Sequence, residues 1–278
     1  MLSSDSDLDD SLSCDLLTND LSQWVNAHSI DHNAADSLLG ILRKHGHSYL
    51  PMTGRTLMGT AKTVETEIKS GMHYIYFEIE KQLRFHIRLY PDEILKDLTT
   101  FSISLNIDGL PLFKSASTSL WPVICSINIQ PIKLFPLALT LGNTKHTGLE
   151  FLRDTIRDLN ILLLNGLRFE DRVINVKLKC IICDAPARAF VKNIKLYSGY
   201  YGCDRCDQRG RWIGRMTYPN VGDFNIRTDQ TFRNRENEEH HHENLSPFCD
   251  MQVDMIKQFP LDYMHQICLG VLQWKRKK

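Results

Sequence analysis

The sequence predicts an α/β chain built on a mixed sheet with helices packed against it. Three strand-like runs follow one another between Phe101 and Leu141, a long amphipathic helix follows them, and a fourth apolar run spans Val173 to Cys183. Three sequential strands with a helical crossover to a fourth require a sheet of mixed direction. In such sheets functional groups gather at the carboxyl ends of strands, and here the first and fourth runs lead into Asp108 and Asp184.

The elements read in order as follows. Met1 to Asp20 is rich in Ser, Asp and Leu, with too little apolar material to fold alone, so residues 1–20 are expected to form a disordered acidic tail. Residues 21–70 read as a small helical appendage and linker. Leu21, Trp24 and Val25 share one helical face, and Ala34, Leu38 and Leu42 repeat at i, i+4 and i+8, with Gly46 as C-cap. No basic recognition helix stands out there. Residues 71–278 form the expected core. Tyr74 to Phe77 and Leu83 to Leu89 read as strands, the second alternating apolar and basic residues. Phe101 to Ile107 alternates cleanly, whereas Leu120 to Ile129 and Leu134 to Leu141 are largely apolar, as in strands covered on both faces. Thr147 to Leu164 carries Leu152, Ile156, Leu159 and Leu163 on one stripe, and Ala187 to Ile194 is a shorter helix.

Composition limits the function classes. The 278 residues carry 33 Lys and Arg against 33 Asp and Glu, and 42% are hydrophobic, ordinary values for a globular chain. Ser115 to Ile132 is the longest uncharged stretch, and its Ser, Asn, Gln and Pro residues make it too polar to span a bilayer. The acidic start is the reverse of a secretory signal, so a soluble intracellular chain is expected, with no membrane partner. Six acids lie in residues 1–20, which leaves a basic excess of about six elsewhere, compatible with a polyanion partner without requiring one. Lys275 to Lys278 is basic but too short to serve as a convincing nuclear address.

Asp108 and Asp184 at adjacent strand ends would make a hard-oxygen site for Mg²⁺ or Mn²⁺, the chemistry of metal-assisted phosphodiester cleavage. Equally, Asp108-Gly109 reads as a turn and Asp184 as the N-cap of a helix with Pro186 at N2. Cys180-x-x-Cys183 and Cys203-x-x-Cys206 have four-cysteine zinc spacing. However, positions three apart on a strand face opposite ways, so Cys180 and Cys183 read as core residues. Cys203 and Cys206 lie in a knuckle-like turn within a Cys/His-containing insertion at 199–265, and a Zn²⁺ there needs two further ligands. Candidates are His265, Asp262, Cys249 and the run His240 to His242, the last expected to be solvated in a Glu/Asn-rich loop. Two packed thiols without metal are the other reading. Asp262 and His265, at i and i+3 where the last helix opens behind Pro260, share a face and can bind a metal jointly, or simply begin an exposed helix.

Four blocks in order resemble the CACTA-type (EnSpm-like) DNA transposases: Asn106 to Ser115 with Trp121-Pro122-Val123, Cys183 to Arg188, Tyr200 to Cys206, and Phe259 to His265. The resemblance runs from about residue 20 to the end. It implies an RNase H-like fold, metal-dependent DNA cleavage and strand transfer, a nuclear location (otherwise cytoplasmic), transposon-end DNA as partner and room for oligomers. By motif match Asp108 and Asp184 are the first two acids of a D-D-E triad, with Cys203, Cys206, Asp262 and His265 supporting or metal-associated. The implied cofactors are Mg²⁺ or Mn²⁺ at the acids and a structural Zn²⁺. The family's glutamate follows the last block, and none of the residues after His265 is Glu. The chain is therefore expected to be the amino-terminal part of a transposase, inactive as it stands. The rival expectation is a non-catalytic zinc-containing product that binds DNA or protein.

Overall fold

The computed structural model describes residues 6–61, 63–112, 118–143, 148–265 and 268. Phe113 to Ser115 of the first block, the start of the helix expected from Thr147, and the basic Lys275 to Lys278 lie outside the described residues. The chain forms two compact units, Met1–Glu65 and Thr66–Lys278. Among the described residues no helix is long and apolar enough to cross a membrane.

The first unit holds α1 (Ser6–Ala27), α2 (His32–Lys44) and α3 (Gly54–Leu57). α1 begins within the segment that composition assigns to an acidic tail. Asp31 caps α2 by accepting from the N–H groups of Asn33 and Ala34. The buried residues of α2 are Ala35 and Leu39, one position on from the expected Ala34 and Leu38, while the expected Leu42 packs beside them. Ala34 and Ala35 are equivalent by periodicity alone, and packing selects the one facing Val25, Leu50 and Leu57. Gly46 takes φ of +104°, the left-handed conformation expected after a helix end.

The second unit is a mixed α/β domain. Its strands are β1 (Glu67–Lys69), β2 (Met72–Tyr76), β3 (Thr100–Ile107), β4 (Leu110–Pro111), β5 (Ser119–Ile127), β6 (Lys133–Gly142), β7 (Leu167–Phe169) and β8 (Arg172–Ile182). They line up in the order β1-β2-β6-β5-β3-β8-β7, with β4 attached to β5. Every pairing is antiparallel except β3 with β8, which is parallel. α4 (Ile79–Ile87), α5 (Asp92–Leu95), α6 (Arg153–Asn165) and α7 (Ala185–Lys192) flank the sheet. α4 packs on α6, β6 and β7, and α6 on β8, around one apolar core that includes Ile79, Leu83, Ile103, Leu105, Leu159 and Ile181. The hydroxyls of Tyr74 and Tyr76 tie β2 to α6 by donating to Asp154 (3.0 Å) and Asp158 (2.8 Å).

One element differs in kind from the sequence expectation. Leu83 to Leu89 is not a strand but lies mostly in α4. Ile79, Leu83 and Ile87 recur at i, i+4 and i+8 and are fully buried, while the alternating apolar residues Phe85 and Leu89 are exposed. Arg84 pairs with Glu80 at 2.5 Å across one helical turn. The apolar and basic alternation from Leu83 onward imitates a strand only if Ile79 is left out of the window.

Candidate functional site

β3 and β8 run side by side with Asn106 in register with Ile182. Asp108 and Asp184 each lie two residues beyond that pair, at the carboxyl end of neighbouring parallel strands. Asp108 accepts the N–H of Gly109 at 2.7 Å. A Cβ on Gly109 would sit 2.6 Å from the Trp121 ring, so glycine after the aspartate is what lets the indole of β5 close over this turn. Trp121 in turn packs on Phe190 of α7, ring centroids 5.3 Å apart. Asp184 is the N-cap of α7, accepting from Ala187 N at 2.7 Å, with Pro186 in the first turn. Turn, cap and strand end thus coincide in the same two residues, each aspartate committing one oxygen to backbone.

The Asp262 and His265 pair faces these acids. Asp262 accepts from Met264 N at 2.9 Å and holds His265 Nδ1 in a short contact. Tyr263 to His265 enter a helical turn; the rest of the expected last helix lies outside the described residues. Burial first, and then the Asp184 carboxylate, raise the Asp108 carboxyl above the ordinary range, opposed by the Gly109 N–H and by His265. The hydrogen bond to Asp262 raises His265 above 6.5, reinforced by the charges of Asp184 and Asp108. Burial alone would raise Asp262, but the bonds to His265 and Met264 hold it below its usual value. Four groups from three distant segments therefore share one electrostatic neighbourhood. Asp184 and His265 open onto a cleft of about 610 Å³ that is also lined by Cys203, Asp204, Arg205 and Tyr218.

The fixture that brings the last segment here is one that sequence reasoning missed. Asp204, between the two cysteines, is buried against Lys192 and Arg188 of α7, with Arg188 Nε at 3.1 Å. Burial alone would raise the Asp204 carboxyl, but Lys192, Arg205 and Arg188 hold it below its usual range. Lys192 is completely buried, its ammonium 4.9 Å from the Phe232 ring centroid. The neighbouring Arg205 donates to the carbonyls of Ile256 (2.5 Å) and Phe259, and the carbonyl of Gln258 accepts from Ile181 N of β8 at 2.7 Å. A readable signal existed: Arg188 and Lys192 are like charges at i and i+4 on a short apolar helix, which demands a counter-ion.

Cys203 and Cys206 lie 3.1 Å apart through their Sγ atoms, and Gln208 Nε2 approaches Cys206 Sγ at 3.2 Å. Cys180 is half-buried against Ser104 Oγ at 3.5 Å, and Cys183 is buried, its thiol pushed up to about 12 by desolvation. His240 and His241, expected in a solvated loop, are instead buried at 0% and 5% exposure. Phe232 packs on His241, with ring centroids 4.7 Å apart, and His240 Nδ1 lies 2.6 Å from the carbonyl oxygen of Tyr201, so apolar packing pulls a polar-looking run inward. Cys249 offers its carbonyl to Arg233 Nη1 at 2.7 Å. Among the described residues no three His, Cys, Asp or Glu side chains are gathered closely enough to hold a metal ion. No family model matches the chain, and no curated protein matches it.

Proposed function

We propose that the second unit is an RNase H-like, transposase-type domain whose Asp108 and Asp184 bind a divalent ion for DNA cleavage and strand transfer. The observation that carries the reading is the register of β3 and β8, which brings both aspartates to the same sheet edge. Three antiparallel strands, a helix and a fourth strand parallel to the first, in the order β6-β5-β3-β8, support the RNase H-like assignment. The donor set also fits a hard cation. Asp108 and Asp184 each keep one carboxylate oxygen outside their backbone bonds, and a positive charge there offsets the burial and the neighbouring Asp184 charge that raise Asp108.

A divalent ion bound there would activate water and stabilise a leaving oxygen. The chain's own contributions are separate from it. Asp262 orients His265 through Nδ1, which leaves Nε2 available toward a phosphate or a proton in transit. Gly109 and Trp121 fix the direction of Asp108, and the Asp204 network holds the Asp262 segment against β8. Cys203 and Cys206 are proposed as a structural zinc pair.

These 278 residues contain no Glu after Glu243. With Mn²⁺, the chain is therefore expected to bind the ion but leave plasmid DNA uncut in a nicking assay. Cutting that disappears in Asp108→Ala would show that a further acid completes the site. Ion binding indifferent to both Asp108→Ala and Asp184→Ala would overturn the proposal.

A further inference from the structure

The insertion carries a hairpin that the acidic site does not use. β9 (Arg211–Trp212) and β10 (Met216–Thr217) pair Trp212 with Met216 and Arg211 with Thr217. Gly214 takes φ of +78° at the turn. The base is anchored from several sides. Gly210 N–H donates to the Tyr200 carbonyl at 2.6 Å, and Tyr218 hydroxyl donates to the carbonyls of Tyr197 (3.0 Å) and Gly199 (2.7 Å). A Cβ on Gly210 would lie 2.6 Å from Met216 Sδ, so the strands close on a glycine. Tyr218 also lines the cleft that holds Asp184 and His265, which makes the hairpin an extension of the cleft wall.

The tip is the reverse of a packed element. Trp212 is 60% exposed and Ile213 65%, with Arg209, Arg211 and Arg215 exposed around them. From Gln208 to Asn220 there are three arginines and no Asp or Glu. Among the described residues no carboxylate forms an ion pair with any of the three. Arg209 lies over the Tyr200 ring, 5.5 Å from its centroid, and a flat exposed indole on a hairpin whose arginines have no carboxylate partner complements a base face flanked by phosphates. Bases in a duplex already stack on both faces, so the indole can serve only an unpaired one.

We infer that this hairpin grips single-stranded DNA beside the cleft, Trp212 stacking on an unpaired base and Arg209, Arg211 and Arg215 contacting phosphates. The choice of DNA rests on the function proposed above. The test uses the full chain at low salt with no added Mg²⁺ or Mn²⁺, a labelled oligothymidylate of about 15 nucleotides and a duplex of equal length. Trp212→Ala should weaken single-strand binding about tenfold, Trp212→Phe should retain most of it, and duplex binding should not change. Replacing Arg211 and Arg215 by Ala should flatten the dependence of log affinity on log salt by about 1.4. Unchanged single-strand affinity in Trp212→Ala, or an equal loss on duplex, would overturn the stacking role. Tighter binding to oligouridylate than to oligothymidylate would overturn the choice of DNA. Because no Mg²⁺ or Mn²⁺ is added, failure of the acidic site to bind metal or cut DNA leaves this result readable.

Discussion

A Cβ on Gly202 would lie 2.0 Å from the Leu196 carbonyl oxygen, backbone against backbone with no flexible end to yield. Gly202→Ala is therefore expected to destabilise the cysteine turn by about 1–3 kcal/mol, read as a lower urea midpoint; an unchanged midpoint would contradict the close approach. His265 gives a second residue-level expectation. Its folded pKa stands above 6.5 because Asp262 bonds its Nδ1, so the pair's stabilisation is complete below about pH 6.5 and fades as pH rises through the folded value. In an NMR titration the His265 midpoint should fall toward 6.5 in Asp262→Asn. A midpoint that stays put would mean that Asp108 and Asp184, rather than Asp262, hold the charge.

At the scale of elements, α7 and the cysteine turn stand or fall together. Asp204→Asn leaves Lys192 and Arg188 buried without a full counter-charge, and the expected cost is about 3–5 kcal/mol in chemical denaturation. Adding Lys192→Met to that variant should recover part of the loss, whereas simple additivity would show that the two groups are uncoupled. Strands β3, β5, β6 and β8 were legible because apolar runs bounded by Asp, Pro and Gly have few alternatives. α7 was legible from Asp184 and Pro186. α4 was not, since Arg84, His86 and Arg88 alternate with apolar residues at a strand-like period. The Asp204 contacts were legible only by half: Arg188 and Lys192 on α7 call for a counter-ion, but that Asp204 supplies it depends on a loop path that no local pattern encodes.

At the scale of the whole molecule, the order strand, strand, strand, helix, strand was enough to anticipate a mixed sheet, and the ends of its first and fourth strands marked two of the candidate acids. How the insertion folds back was not readable, and His240 and His241 show why, since a charged-looking run became interior. Their burial has a pH consequence. Desolvation first, then the neighbouring positive charges (Arg227 for His240, Arg235 and Arg227 for His241), depress His240 to about 3 and His241 to about 4. The unfolded chain takes up protons below about pH 6.5 while the folded one does not, so stability falls with pH there. The loss approaches about 2 kcal/mol per histidine at pH 5, and His240→Gln should flatten the slope of denaturation free energy between pH 7 and 5. A slope unchanged by that substitution would contradict a buried neutral imidazole.

The central claim is that Asp108 and Asp184 act as one cation site at the end of two parallel strands. The most direct measurement is Mn²⁺ binding to the full chain, followed by the electron paramagnetic resonance signal of the free ion. The account predicts a bound ion that is lost in Asp108→Asn and in Asp184→Asn alike, and kept in Asp97→Asn, an exposed carboxylate away from the site. Mn²⁺ binding that survives both site substitutions, or that falls equally in Asp97→Asn, would contradict it.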